Sequence, residues 1–113
     1  MVASKELPHP TPDELELGRV LGALSDPIRR DVLLRISREG PLYCGDLTYE
    51  VTKSTMSHHF RVLREAGLMH TEVLGTRRRI TRRDAMIESV FPGLLEAVGL
   101  PSSEGIWTER PGE

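Results

Sequence analysis

The chain has 113 residues, of which 38% are hydrophobic and 28% charged, and this length suits a single domain with one core. It has no run of the roughly 20 apolar residues that a membrane helix needs, and its N-terminus, MVASKELPHPTP, lacks the apolar segment of a secretory signal. The single cysteine, Cys44, excludes an internal disulfide. Together these features predict a protein of the reducing cytoplasm.

The net charge of −2 conceals an uneven distribution along the chain. The net charge of the whole chain argues against nucleic acid as a partner, because domains that bind nucleic acid are usually basic. Residues 53–83, however, contain eight Lys or Arg and only two Asp or Glu, which gives this block a local net charge of +6. A solvated charged surface is the simplest explanation of such a block. The motifs inside the block decide whether it also binds nucleic acid.

The first helix is predicted to follow a flexible arm. Residues 1–10 have no periodic apolar pattern, which is typical of such an arm. Thr11 can cap a helix, Pro12 suits its first position, and Glu14 completes a capping box. The apolar residues of this helix recur at helical spacing: Leu17, Val20, Leu21 and Leu24.

A second helix is predicted between Asp26, its N-cap, and Gly40, which ends it. Its apolar face consists of Ile28, Val32, Leu33 and Ile36. A short third helix is predicted within residues 42–51, LYCGDLTYEV, anchored by Leu42, Leu47 and Val51. Several residues of this segment are poor helix formers, among them Gly45, Thr48 and Val51.

The fourth predicted helix lies in KSTMSHHFRVLREAGL, residues 53–68, with Thr52 as its N-cap and Gly67 at its end. At 100° per residue one stripe of this helix is apolar and predicted to be buried: Met56, Phe60 and Leu63. The opposite face points outward and carries Ser54, His58, Arg61 and Glu65.

A β-hairpin is predicted after this helix, turning at Gly75 and Thr76. Its tip carries Arg77, Arg78 and Arg79, and because strand residues alternate faces, Arg77 and Arg79 should share one side. Arg82 and Arg83 either contact phosphates or start the last helix. That helix should be kinked or split near Phe91, because Pro92 and Gly93 follow. The tail, residues 101–113 with Trp107, has no periodicity and is predicted to be mobile.

The order of these elements predicts a mainly α protein with a small β-hairpin, the winged helix-turn-helix arrangement, in residues 11–100. A helix fits the major groove of duplex DNA, and its N-terminal residues then approach the base edges. The positive end of the helix dipole also favours phosphate. The predicted DNA-binding residues of the helix are Lys53, Ser54, Thr55, Ser57, His58 and Arg61, and those of the hairpin are Arg77, Arg78 and Arg79.

Neither catalysis nor metal binding has a comparable motif. Neighbouring residues on a helix do not face each other, so His58 and His59 are poor candidates for a shared metal ion. His59 lies beside the apolar stripe and is predicted to be half-buried and hydrogen-bonded. Nucleophile–base pairs, carboxylate pairs and phosphate-binding glycine loops are all missing from the sequence. We therefore expect a protein that is not an enzyme and has no cofactor and no metal.

Two stretches resemble the ArsR/SmtB family of bacterial transcriptional repressors: ALSDPIRRDVLLRI, residues 23–36, and KSTMSHHFRVLREAGLMHTEVLGTRRRI, residues 53–80. The resemblance extends over roughly residues 15–99. It implies a homodimer that represses a promoter by binding a two-fold symmetric operator in double-stranded DNA, and releases it on a signal. It also implies dimer helices at the two ends of the domain, with interface residues Leu17, Leu21, Ile87, Leu94 and Val98.

The chain departs from the metal-sensing members of that family. Tyr43 and Gly45 stand where those members have cysteines, with Cys44 between them, and no histidine occurs in residues 84–99. The resemblance therefore implies a regulator without the usual metal sites. Two alternatives remain open: a winged-helix module that binds protein instead of DNA, and a DNA-binding repressor in which Cys44 is a redox switch.

Overall fold

The structure is a computed structural model that describes residues 4–101. Its five α-helices in this range are α1 (Leu17–Ala23), α2 (Pro27–Glu39), α3 (Lys53–Glu65), α4 (Asp84–Val90) and α5 (Leu94–Ala97). Its strands are β1 (Ser4–Glu6), β2 (Leu42–Tyr43), β3 (Met69–Leu74) and β4 (Arg77–Arg82), which form one antiparallel sheet in the order β1-β3-β4-β2. The mainly α winged helix-turn-helix fold is confirmed.

The core lies between α2, α3, the hairpin of β3 and β4, and the last two helices. Its largest side chains are almost without exposed surface: Val20, Val32, Leu33, Ile36, Leu63, Met69, Ile80, Ile87, Leu95 and Leu100. Alternation along the strands directs Met69 and Ile80 into this core. The hydrophobic effect therefore fixes the hairpin against α2 and α3, and this contact determines where its tip points.

The predicted helix boundaries are largely confirmed, with one difference in the first helix. Thr11 and Glu14 form the capping box, with the Thr11 N–H donating to Glu14 Oε1 at 2.9 Å. The helix they start is one 3-10 turn, Pro12–Glu14, and α1 begins separately at Leu17. The last helical region is split as predicted, because α4 ends before Phe91 and α5 begins after Gly93.

Gly67 is required where α3 turns into β3. Its φ is +86°, a conformation that residues with a Cβ rarely adopt. A Cβ added there would collide with Leu15 and would lie 3.1 Å from the Met86 side chain. The backbone at Gly67 therefore lies close to Leu15, which precedes α1, and to α4, so that a larger residue would be strained and crowded there.

The short third helix predicted within residues 42–51 is wrong. The segment contains β2 and a single 3-10 turn, Cys44–Asp46, and residues 47–52 have no regular structure. Side chains hold it instead: Leu47 is buried, and the Tyr49 hydroxyl donates to Asp31 Oδ2 at 2.6 Å. Weak helix propensity and these tertiary contacts act in the same direction, and the chain between the 3-10 turn and α3 is an irregular connection.

The N-terminal arm has structure that its sequence does not predict. β1 pairs with β3 in the register Glu6 with Glu72. The backbone N–H of Thr71 donates to His9 Nε2 at 3.0 Å, and the His9 ring stacks on His70 with centroids 4.3 Å apart. Residues 4–10 therefore pack along the edge of the hairpin. Most of the predicted mobile tail, including Trp107, lies outside the described residues.

Arg82 lies inside the protein, with 1% of its surface exposed, so the predicted phosphate contact is excluded for it. Its Nε donates to Asp84 Oδ1 at 2.8 Å and one Nη donates to the carbonyl of Leu100 at 2.6 Å. The other Nη donates to Ser37 Oγ and, at 3.5 Å, to the carbonyl of Leu33. Arg82 therefore links the hairpin, α2, α4 and the end of the described chain. Arg83 stands at the N-cap of α4, the second of its two predicted roles.

Asp26 is expected to be the most important helix cap. Its Oδ1 accepts hydrogen bonds from the backbone N–H groups of Ile28 (2.8 Å) and Arg29 (3.1 Å). Asp26→Ala should therefore lower the free energy of unfolding by about 1–2 kcal/mol, measured by urea denaturation at neutral pH. Asp13→Ala, which removes an exposed carboxylate, is the control and should change stability little.

The effect of Asp26→Ala should also depend on pH. Burial raises the pKa of Asp26, but the hydrogen bonds from the backbone N–H groups of Arg29 and Ile28 and the positive charge of Arg29 lower it more, so the pKa ends below its ordinary value of 3.8. A lowered folded-state pKa gives stability that is present above the unfolded pKa and lost as pH falls through the folded one. The difference in the free energy of unfolding between the wild type and Asp26→Ala should thus shrink below about pH 4. A difference that stays constant into acid would contradict this assignment.

Candidate DNA-binding surface

The first turn of α3 is closed by hydroxyl groups. Thr52 Oγ1 accepts a hydrogen bond from the Thr55 backbone N–H at 3.1 Å, which is the predicted N-cap. The Thr52 hydroxyl donates to Thr55 Oγ1 at 2.9 Å, so the Thr55 hydroxyl keeps its own proton to donate outward. Lys53 and Ser54 are exposed beside it. The start of α3 therefore offers a charge, hydroxyl donors and free backbone N–H groups to an anion.

The outward face of α3 is the one that the sequence predicts. Ser57, His58 and Arg61 are exposed and form, with Lys53 and Ser54, a continuous polar strip along the first two turns. The apolar stripe faces inward: Met56 and Leu63 are buried and Phe60 is partly buried. We refer to Lys53, Ser54, Thr55, Ser57, His58 and Arg61 as the α3 strip.

His59 has the structural role predicted for it. It is 7% exposed, and its Nδ1 lies 3.1 Å from a guanidinium nitrogen of Arg29, which makes Nδ1 the acceptor. Arg29 also donates to the carbonyl of Ala23 at 2.8 Å. This contact joins α3 to α1 and α2, and it fixes the rotation of α3 that turns the α3 strip outward.

The three hairpin arginines have different surroundings. Arg77 lies over the Tyr43 ring, 3.5 Å from the centroid, and 3.5 Å from Asp46 Oδ2. Arg79 donates to Glu72, its cross-strand partner. Arg78 occupies the opposite face of β4, is exposed, and forms no hydrogen bond or ion pair within the described part of the chain. The predicted division, Arg77 and Arg79 on one side and Arg78 on the other, agrees with this register.

A groove of about 980 Å³ separates α3 from residues 44–51 and the hairpin, and we call it the α3–wing groove. Four of its lining residues are cationic, and among the described residues that line it none is Asp or Glu: the cations are Lys53, Arg61, Arg64 and Arg78. Its floor is apolar and formed by Leu47, Met56 and Phe60. The positive charge of this surface therefore continues from the α3 strip into a cavity.

Cys44 lies in the α3–wing groove and is partly buried. Burial raises the pKa of its thiol to about 11, although the positive charge of Arg78 acts in the opposite direction. The sequence neighbours of Cys44 include no cation, and folding brings Arg78 near it. Because the thiolate is the reactive form, a thiol with this pKa reacts slowly at neutral pH.

The predicted dimer residues fall into two groups. Leu17 and Leu21 are 47% and 44% exposed on α1. Leu94 and Val98 are partly buried at the start and the C-cap of α5. Ile87 is 1% exposed inside the subunit, so its assignment to a dimer interface is wrong. Its position on α4 directs it toward the core of its own chain, where it has no surface to offer a partner.

Within residues 4–101, the part of the chain that the structure describes, no group of three or more His, Cys, Asp or Glu is arranged to hold a metal ion. No helix in this range is long and apolar enough to cross a bilayer.

Comparison with known proteins decides the family. A family model described as a helix-turn-helix domain matches residues 24–72, from the end of α1 into β3. The HTH-type transcriptional regulator YceK of Bacillus subtilis is 30% identical over 89 residues, which cover 76% of this chain and 89% of YceK. A crystal structure of an ArsR family transcriptional regulator superposes with a TM-score of 0.62 at 27% identity, covering 79% of this chain and 91% of that one.

The chain belongs to the ArsR family of winged helix-turn-helix transcriptional regulators. The arsenical resistance operon repressor of Bacillus subtilis is a further relative, 36% identical over 56 residues, or 48% of this chain and 53% of the repressor. The region of this ArsR-type regulator that the family model matches contains two α-helices, α2 and α3, and α3 is the second of them.

The hairpin arginines of this ArsR-type regulator should contribute unequally to DNA binding. Arg78→Ala should weaken binding to every duplex by about the same factor, because an unpaired exposed guanidinium contacts phosphate without reading sequence. Arg79→Ala should have a smaller effect, because Glu72 already neutralises Arg79. Fluorescence anisotropy with two unrelated duplexes measures both variants. A larger loss for Arg79→Ala, or a loss confined to one duplex, would contradict this assignment.

Proposed function

We propose that this ArsR-type regulator is a homodimeric repressor whose α3 strip binds operator DNA in the major groove. The observation that carries the proposal is the orientation of α3: its polar, cationic face is exposed while Met56, His59 and Leu63 face the core. An α-helix fits the major groove, where hydroxyl, imidazole and guanidinium groups can recognise base edges. Arg78, which is exposed on the hairpin, would contact the phosphate backbone of the DNA beside the major groove.

The homodimer is supported by the apolar surface of α1. Leu17 and Leu21 lie one turn apart and are each nearly half exposed, and large apolar side chains at such spacing favour a partner surface. A two-fold dimer would present two α3 helices to successive major grooves. The operator would then contain inverted half-sites about 10 bp apart, one helical turn.

The proposal includes regulation without the usual metal sites of the family. Tyr43 and Gly45 replace the cysteines that metal-sensing relatives carry beside Cys44, and these residues form β2 and a 3-10 turn. The Cys44 redox switch is not favoured, because burial keeps the thiol protonated at neutral pH. The cytoplasmic location expected from the sequence remains a prediction.

Salt dependence separates this function from a winged-helix module that binds protein. If a dimer neutralises about eight phosphates, the logarithm of the affinity should fall with a slope near −7 against the logarithm of salt concentration. Arg78→Ala should make that slope shallower by about one for each arginine removed. A shallow slope in the wild type, unchanged by Arg78→Ala, would favour the protein-binding module.

A further inference from the structure

Two residues that line the α3–wing groove, Arg64 and Thr71, have buried polar atoms that no described residue satisfies, and we call the part of the groove at these atoms its inner end. Thr71 is 3% exposed, and its Oγ1 has no hydrogen-bond partner. Arg64, in the last turn of α3, has a buried Nε that is also without a partner. Both residues line the same groove. Each such atom costs free energy that a hydrogen bond would recover, so two unsatisfied donors on residues that line one cavity favour an acceptor in it.

The other residues that line the groove indicate which kind of acceptor would fit. Arg64 and Arg78 make the groove positive, and no acidic residue among those described lines it to balance them. Leu47, Met56 and Phe60 give it an apolar floor. Cavities of roughly 300–1,000 Å³ with an apolar lining and a few polar groups are typical of small-molecule sites.

From these contacts we infer that the inner end of the α3–wing groove binds a small amphipathic anion: one carboxylate or sulfonate joined to an apolar ring or chain. The Thr71 hydroxyl and the Arg64 guanidinium donate to the acidic group after a side-chain rotation. The apolar part lies on Leu47, Met56 and Phe60. Because Met56 and Phe60 are the inward residues of α3, an occupied groove alters the position of the helix that carries the α3 strip.

The regulatory consequence rests on the proposed function. The groove is also lined by five members of the α3 strip: Lys53, Ser54, Ser57, His58 and Arg61. An anion in the groove therefore competes with DNA phosphate for the same positive charge, and it releases the operator.

Two probes with the same ring system test the site. Anilinonaphthalene sulfonate carries the sulfonate, and phenylnaphthylamine is its uncharged counterpart. Fluorescence titration should show that the full-length wild type binds the sulfonate more tightly. Thr71→Val should raise the dissociation constant for the sulfonate about tenfold, because the variant keeps the shape and loses one hydrogen bond to an anion. Arg64→Gln should remove the difference between the two probes.

Thr81→Val is the matched control. Thr81 is likewise buried on the hairpin, at 7% exposure, but does not line the groove, so this change should leave both dissociation constants as in the wild type. Three results would overturn the inferred site: no binding of the sulfonate, equal binding of the two probes, or equal dissociation constants for Thr71→Val and Thr81→Val. Thermal melts establish that both variants are folded.

A competition experiment tests the regulatory consequence. The sulfonate should release a bound duplex from the wild type, and Thr71→Val should need about ten times more of it while binding DNA normally in its absence. Release at the same concentration from both proteins would overturn the link between groove and operator. If the wild type binds no duplex, the proposed function fails, and the titration without DNA still decides the site.

Discussion

Arg82→Ala is expected to lower the free energy of unfolding by about 3–5 kcal/mol, the cost of removing one partner from a buried ion pair. Arg82 is 1% exposed and forms hydrogen bonds to Asp84, Ser37 and the carbonyls of Leu33 and Leu100. Truncation takes the cation from the buried Asp84 carboxylate and leaves two carbonyls without this donor. Denaturant titration followed by circular dichroism measures the loss.

The control for Arg82→Ala is an arginine whose ion pair is exposed. Arg35 lies 3.0 Å from Glu39, with 30% and 47% of the two side chains exposed, so Arg35→Ala should cost less than about 1 kcal/mol. If Arg82→Ala is too unstable to isolate, Arg82→Lys keeps the charge without the planar fork and should give an intermediate loss. Similar small losses for Arg82→Ala and Arg35→Ala would show that the buried network contributes little.

His58→Ala and Ser57→Ala are expected to cost about 1–3 kcal/mol each at the preferred operator and to relax base preference there. Both side chains are exposed one turn into α3, where the helix approaches base edges. Their binding to random duplex should change little, because that binding depends on phosphate contacts. Competition titrations with the operator and with random duplex measure the two affinities separately.

Glu65→Ala is the matched control for these variants. Glu65 is also exposed on α3, but it lies in the last turn, beyond the part of the helix that enters the groove. Its removal should leave the ratio of specific to random binding unchanged. A loss for His58→Ala that is equal on operator and random duplex would contradict base recognition by the α3 strip.

Local signals in the sequence were enough to predict most helix ends. Asp26 and Thr52 cap α2 and α3 as expected, because a cap depends on residues two or three positions away. The split after α4 follows from Pro92 and Gly93 in the same way. The exposed face of α3 was predictable because its helical period is fixed and its apolar stripe is unambiguous.

Features that depend on distant residues were not predictable from the sequence. The segment predicted as a third helix is held by the hydrogen bond from Tyr49 to Asp31, a contact with another element. The burial of Arg82 depends on acceptors in α2 and at Leu100, and arginine is rarely buried without such partners. The groove site involving Arg64 and Thr71 exists only because α3 packs against β3.

Selection of bound duplexes from a random pool tests the central claim most directly, that the α3 strip reads the sequence of double-stranded DNA. The wild type should enrich one two-fold symmetric sequence with half-sites about 10 bp apart, and His58→Ala should enrich a less restricted set at the bases nearest α3. A pool that shows no enriched sequence, or an identical sequence enriched by the wild type and by His58→Ala, would contradict the account.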